Sequence, residues 1–213
     1  ILRISWVNIR EFRAMYTSNT MLAVNDQLIW YMSRTGRSFS PMYGVNYFFG
    51  HFKPMLYLFS LFYKFRPGPE TLLFMQTLFL GLGAIPVYLL AKRKLRENFY
   101  AFIFTLGYLW AMTFISYASF HTTTVAIPFL LWAIYLLERG CLKLSFLLAG
   151  VALAGKENIS LTVLALGLYI LIFRRDLPRR RFLGYGFIIL SLLWFYLAVY
   201  MIMPIFHGES RTQ

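Results

Sequence analysis

Long apolar runs, ended by short basic loops, decide what this chain can fold into. They recur over Glu70–Ala91, Phe99–Ser119, Val125–Leu137, Leu144–Gly155, Ile159–Phe173 and Phe182–Phe206. A helix rises about 1.5 Å per residue, so about 20 apolar residues match a hydrocarbon core about 30 Å thick. Several runs approach that length. The sequence predicts an all-α fold, a polytopic transmembrane helical bundle. Only 14% of the 213 residues are charged, against about 25% in a soluble domain.

Formal net charge is +13. In a soluble protein such a balance points to nucleic acid. Here the cations collect between apolar runs, and no soluble domain is left to carry such a function, so no nucleic-acid partner is expected. Eleven basic residues fall in segments 92–97, 138–143 and 174–181. The positive-inside bias places those loops in the cytoplasm. The intervening turns then face outside. Parity depends on 143–173, which one long tilted helix would invert; two short helices in a hairpin keep Arg174–Arg181 inside. Basic and aromatic residues at the interface also suit anionic membrane lipids or a lipid phosphate.

Residues 1–69 are expected to form an extracytoplasmic loop with interfacial helices, 70–206 the bundle, and 207–213 an outer tail. Val24–Met32 reads as a short amphipathic helix. Met55–Tyr63 is apolar but too short to cross. It reads as a helix along the membrane surface, with a re-entrant segment as the rival. Arg66-Pro67-Gly68-Pro69 is a helix breaker. The chain begins at Ile1 rather than Met, and an upstream membrane helix is expected. Cys141 is the one cysteine, so no intrachain disulfide forms.

Sparse polar motifs carry the chemistry. His51-Phe52-Lys53-Pro54, Phe120-His121-Thr122 and Lys156-Glu157-Asn158 all fall on the outer side. Ionisable groups at membrane depth are costly and persist with partners or a purpose. His51 caps a helix or serves as a donor or proton carrier. His121 satisfies carbonyls at a helix end or lines a pocket. Lys156 and Glu157 are adjacent, about 100° apart on a helix, so they cannot pair along one face. One of them should meet a polar cavity or another partner. Lys156 can hold phosphate and Glu157 can act as base. Asp26 is the only acid between Glu11 and Glu70, a surface residue or a catalytic carboxylate. His51, His121, Glu157 and His207 lack metal-ligand spacing, so no metal and no cofactor is expected. Tyr117, Trp132 and Trp194 read as interface anchors or packing.

The ordered set Asn25-Asp26-Gln27-Leu28-Ile29-Trp30, Gly36-Arg37, His51-Phe52-Lys53-Pro54, Pro69-Glu70-Thr71-Leu72-Leu73 with Gln76, Phe120-His121 and Lys156-Glu157 resembles the prokaryotic predicted membrane protein family called domain of unknown function 2079. The resemblance covers about residues 12–175. That family is similar to the C-type glycosyltransferase superfamily, polytopic enzymes that use polyprenyl-phosphate sugars outside the cytoplasmic membrane. The resemblance implies a glycosyltransferase-like protein with a lipid-linked sugar donor. Asp26 or Glu157 would be the catalytic base, while Lys53, His121 and Lys156 would hold phosphate, with His51 and Gln27 binding substrate. In the family an Asp stands six residues before the position of Gln27; here it is Met21. A non-catalytic scaffold or degenerate homologue, and a transporter component, are the alternatives.

Overall fold

The computed structural model describes residues 2–13, 20–115, 120–175 and 179–209. Helix α1 covers Leu2–Arg13 and α2 Thr20–Thr35. Gly36, at φ +73°, stops α2 where only a residue without Cβ turns cheaply. A two-residue ribbon follows, β1 (Phe39–Ser40) antiparallel to β2 (Val45–Asn46). Asn46 then caps a 3₁₀ turn at Tyr47–Phe49 by accepting from the Phe48 amide at 3.1 Å. The short ribbon adds to an otherwise all-α fold.

Helix α3 spans Leu56–Tyr63. Leu56, Phe59, Ser60 and Tyr63 are buried, while Tyr57, Leu58, Leu61 and Phe62 are exposed. Two apolar faces on one short helix suit a membrane surface, where the outer face meets lipid rather than water. The breaker acts where expected, and α4 (Pro69–Leu82) starts with Pro69 in its first turn. It runs into α5 (Ala84–Leu95) through Gly83, where the Tyr108 hydroxyl donates to the Leu80 carbonyl at 2.9 Å.

Helix α6 covers Asn98–Ile115, α7 Thr122–Glu138, α8 Leu142–Leu153 and α9 Ile159–Phe173. Helix α10 (Arg180–Tyr196) continues through a π-helical segment, Leu197–Ile202, into α11 (Met203–Glu209). The expected break between 144 and 173 is present, at 154–158. Its arms pack separately, α8 along α7 and α9 along α10. Gly167 and Gly184 make the second contact possible: a Cβ on Gly167 would lie 2.9 Å from the Gly184 carbonyl oxygen. Small residues let helix backbones approach this closely. Ser145 and Ser191 donate across helices to the carbonyls of Ala133 and Ser160, each at 2.7 Å.

Among the described residues two helices, Pro69–Leu95 and Arg180–Phe206, are long and apolar enough to cross a membrane. Helices α7, α8 and α9 are apolar but shorter. At 1.5 Å per residue α8 is about 18 Å long and α9 about 22 Å, below a full hydrocarbon core. Phe99, Phe102, Phe104, Trp110 and Phe114 on α6 stand exposed, as do Phe182, Tyr185, Ile189 and Tyr200 near the chain end. A soluble monomer rarely exposes so much apolar surface. The end of the second predicted span (116–119, with Tyr117), residues 176–178 of the basic loop and tail residues 210–213 lie outside the described residues; His207 lies within α11.

Candidate functional site

Backbone packing and two buried amide side chains build the site before any charge is considered. The Met55 amide donates to the Ala154 carbonyl at 2.8 Å, tying the start of α3 to the end of α8. Gly155 lies against the first turn of α7: a Cβ there would sit 2.9 Å from the Ala126 Cβ and 3.1 Å from the Thr122 carbonyl oxygen. Gln76 on α4 is fully buried and accepts from the His121 amide at 2.8 Å and from Thr124 Oγ1 at 3.0 Å. On α2, Asn25 Nδ2 donates to the Met21 carbonyl at 2.7 Å and reaches the Phe120 carbonyl at 3.5 Å. Thus the 51–55, 120–124 and 154–158 segments meet, with the N-termini of α3, α7 and α9.

Onto this frame the chain places Lys53, His51, His121, Lys156 and Glu157. His51 Nδ1 lies 2.9 Å from Glu157 Oε1. Lys156 Nζ lies 4.0 Å from the same oxygen. Adjacent residues reach this distance because 156–158 is a turn rather than a helix. Lys53 Nζ donates to the Tyr47 hydroxyl at 3.1 Å and stands 5.0 Å from the ring centroid, a cation–π contact. Burial holds the Lys53 ammonium below its ordinary pKa, partly offset by the Glu157 charge. Burial, then the charges of Lys53 and Lys156, holds the His121 imidazole below its ordinary value. His121 is therefore neutral near pH 7 and presents one donor and one acceptor. Burial raises the Tyr47 hydroxyl, with Lys156 acting against it and Glu157 with it.

Glu157 has an uneven environment. Oε1 faces His51 and Lys156, whereas Oε2 is buried with no hydrogen-bond partner among the described residues. Thr122 Oγ1, beside His121, is buried in the same condition. Buried polar atoms without partners are rare, and each calls for an explanation. The Glu157 oxygen can accept a hydrogen from a hydroxyl brought by a ligand.

Asp26 stands apart. Its Oδ1 accepts from the Tyr63 hydroxyl at 2.6 Å, at the far end of α3. The same hydroxyl lies 2.9 Å from the Gly68 carbonyl oxygen. Helix α3, about 12 Å long at 1.5 Å per residue, separates that contact from His51 and Lys53. Gln27 is exposed on α2. Tyr47, Gln76 and Thr122 join the site beyond the residues to which the sequence assigns a role. Gln76 belongs to an ordered motif, but nothing in sequence marks the tyrosine that holds Lys53. Among the described residues no group of three metal-ligating side chains forms. Trp194 packs its ring 5.9 Å from Phe52, behind the site, so it is packing rather than an isolated anchor.

The match to the family model of predicted membrane proteins DUF2079 extends over residues 15–213. The chain belongs to this family. It is a membrane protein, and the family description assigns no activity. No curated protein and no solved structure matches the chain.

Proposed function

We propose that the chain is a multi-pass, C-type glycosyltransferase-like protein that takes a polyprenyl-phosphate sugar at the extracytoplasmic face. One observation carries the reading: Lys53, Lys156 and His51 gather around Glu157, His121 stands beside the two lysines, and one Glu157 oxygen is buried without a partner among the described residues. The two lysines exceed the one carboxylate in charge. Three helix N-termini add their partial positive charge, a setting that favours phosphate. The orphaned Glu157 oxygen suits a hydroxyl.

In this reading the lipid phosphate sits against Lys53 and Lys156, with His121 as a neutral donor. Glu157 Oε2 accepts the proton of the acceptor hydroxyl as its oxygen bonds to the sugar's anomeric carbon. The bond from that carbon to the phosphate oxygen breaks, and the lysines stabilise the departing charge. His51 orients Glu157. Asp26, held by Tyr63 at the far end of α3, and Gln27 take no part in this step.

Titration of the full chain in detergent with undecaprenyl phosphate tests the site. Lys53→Ala and Lys156→Ala should each weaken binding about tenfold or more, as lost charge-assisted hydrogen bonds do. Unchanged affinity in both variants would remove the pocket. Glu157→Gln should retain lipid binding and lose transfer.

Met21 supports a second reading, a degenerate, non-catalytic homologue. Position 21 is one helical turn from Asn25, on the face that reaches Phe120. An acid there would approach the His121 turn. If transfer is absent in the native chain and appears in Met21→Asp, the degenerate reading stands; if Met21→Asp is equally inactive, that reading loses its support.

A further inference from the structure

At the opposite end of the helices lies a second concentration of charge that the proposed transfer does not use. The ends of α5, α7 and α9 bring Arg93, Lys94, Arg96, Glu138, Arg139 and Arg174 around an open groove of about 700 Å³. Glu138 is the centre of its wall. Its carboxylate, 8% exposed, is held by Lys94 at 3.0 Å and by Arg174, itself almost buried. These pairs fix the wall rather than merely decorate it, because a buried carboxylate between two cations leaves little freedom to its partners.

Arg93, Arg96 and Arg139 form no ion pair among the described residues. Arg96 closes α5 in the left-handed region, φ +57°, a conformation with a cost for a residue bearing a Cβ. The bland explanation for such cations is that they offset the helix C-termini. Three termini, at about half a negative charge each, together with Glu138, still leave five cations with an excess of about two to three positive charges.

We infer that this groove is a phosphate-binding site, filled by the phosphodiester headgroup of an anionic membrane lipid or by a soluble polyphosphate. The guanidinium groups of Arg93, Arg96 and Arg139 supply forked donors matched to phosphate oxygens. Glu138 keeps the groove in shape without occupying those donors. The site is independent of the one at the other end and stands whether or not the chain transfers sugar.

The test uses the full chain in detergent. Phosphatidylglycerol binding is read by native mass spectrometry and inorganic pyrophosphate binding by titration. Replacing Arg93, Arg96 and Arg139 together by Gln should weaken one or both about tenfold or more. A charge-matched control, Arg179→Gln with Arg180→Gln and Arg181→Gln, should change them less than about threefold. The single variant Arg139→Gln should give an intermediate loss and serves if the triple variant does not fold. Loss confined to phosphatidylglycerol identifies a lipid headgroup; loss of pyrophosphate binding identifies a soluble phosphate. Equal losses in the groove and control variants, or no loss in either, would overturn the proposal.

Discussion

A tyrosine hydroxyl has one hydrogen, and Tyr63 stands between two acceptors, Asp26 Oδ1 and the Gly68 carbonyl. If the Asp26 carboxyl is protonated, it donates to Tyr63, and Tyr63 donates to Gly68, so each bond has its proton. Burial pushes the Asp26 carboxyl above the usual carboxylate range, with the Tyr63 bond pulling partly back. A raised folded value means that the proton favours the folded state. That stabilisation is complete below about pH 4 and fades as pH rises through the raised value. Asp26→Asn imitates the protonated acid at every pH. Its thermal midpoint relative to the native chain should therefore climb as pH rises from about 4 through the raised value. A gap that stays flat over this range would refute the protonated arrangement. Asp26 and Glu157 are thus not equivalent carboxylates. Asp26 is set by one tyrosine, whereas Glu157 sits among cations with one oxygen unpartnered among the described residues.

Among the elements, the short helices α8 and α9 place the site. Their break leaves a turn at 154–158 that is seated by Gly155 against α7. Gly155→Ala would set a Cβ 2.7 Å from Ile159 Cδ1 and 2.9 Å from Ala126 Cβ. Overpacking of this kind costs about 1–3 kcal/mol. The variant should melt earlier and bind undecaprenyl phosphate more weakly, although position 155 offers the lipid no polar group. Unaltered melting and binding would mean that the turn is not held by this contact. Much of this was legible in sequence. The polar break at Lys156-Glu157, the Pro67-Gly68-Pro69 stop and the short α3 all show in local composition. The packing of α8 on α7 and of α9 on α10 does not, because paired glycines and inter-helix serines declare a neighbour but not which one. Likewise the meeting of His51 with Glu157 depends on a backbone bond from Met55 to Ala154, and backbone groups are identical in every sequence.

At the scale of the molecule, charge divides between two ends. Lys94 and Arg174 meet at Glu138, so the three basic segments share one end, while the His51–Glu157 cluster lies at the other. The proposed orientation puts the basic end in the cytoplasm. Cys141 is exposed in the middle segment and is the only thiol, so the native chain carries its own reporter. A membrane-impermeant maleimide should label it only after cells are permeabilised. A cysteine introduced at Asn158, also exposed, should react in intact cells when Cys141 is replaced by Ser. The reverse pattern would invert the orientation and place the polar cluster inside.

The hydrogen bond from Met55 to Ala154 gives this protein a built-in clock. It joins two stretches of chain almost a hundred residues apart, and the two lysines proposed to grip phosphate lie just to either side of it. A ligand held by both lysines would suppress the opening of that bond in proportion to its preference for the closed arrangement. The exchange of a single amide proton for deuterium, at Met55, would then slow as the lipid is added. Occupancy would then be visible at one backbone position, whatever head group the added lipid bears.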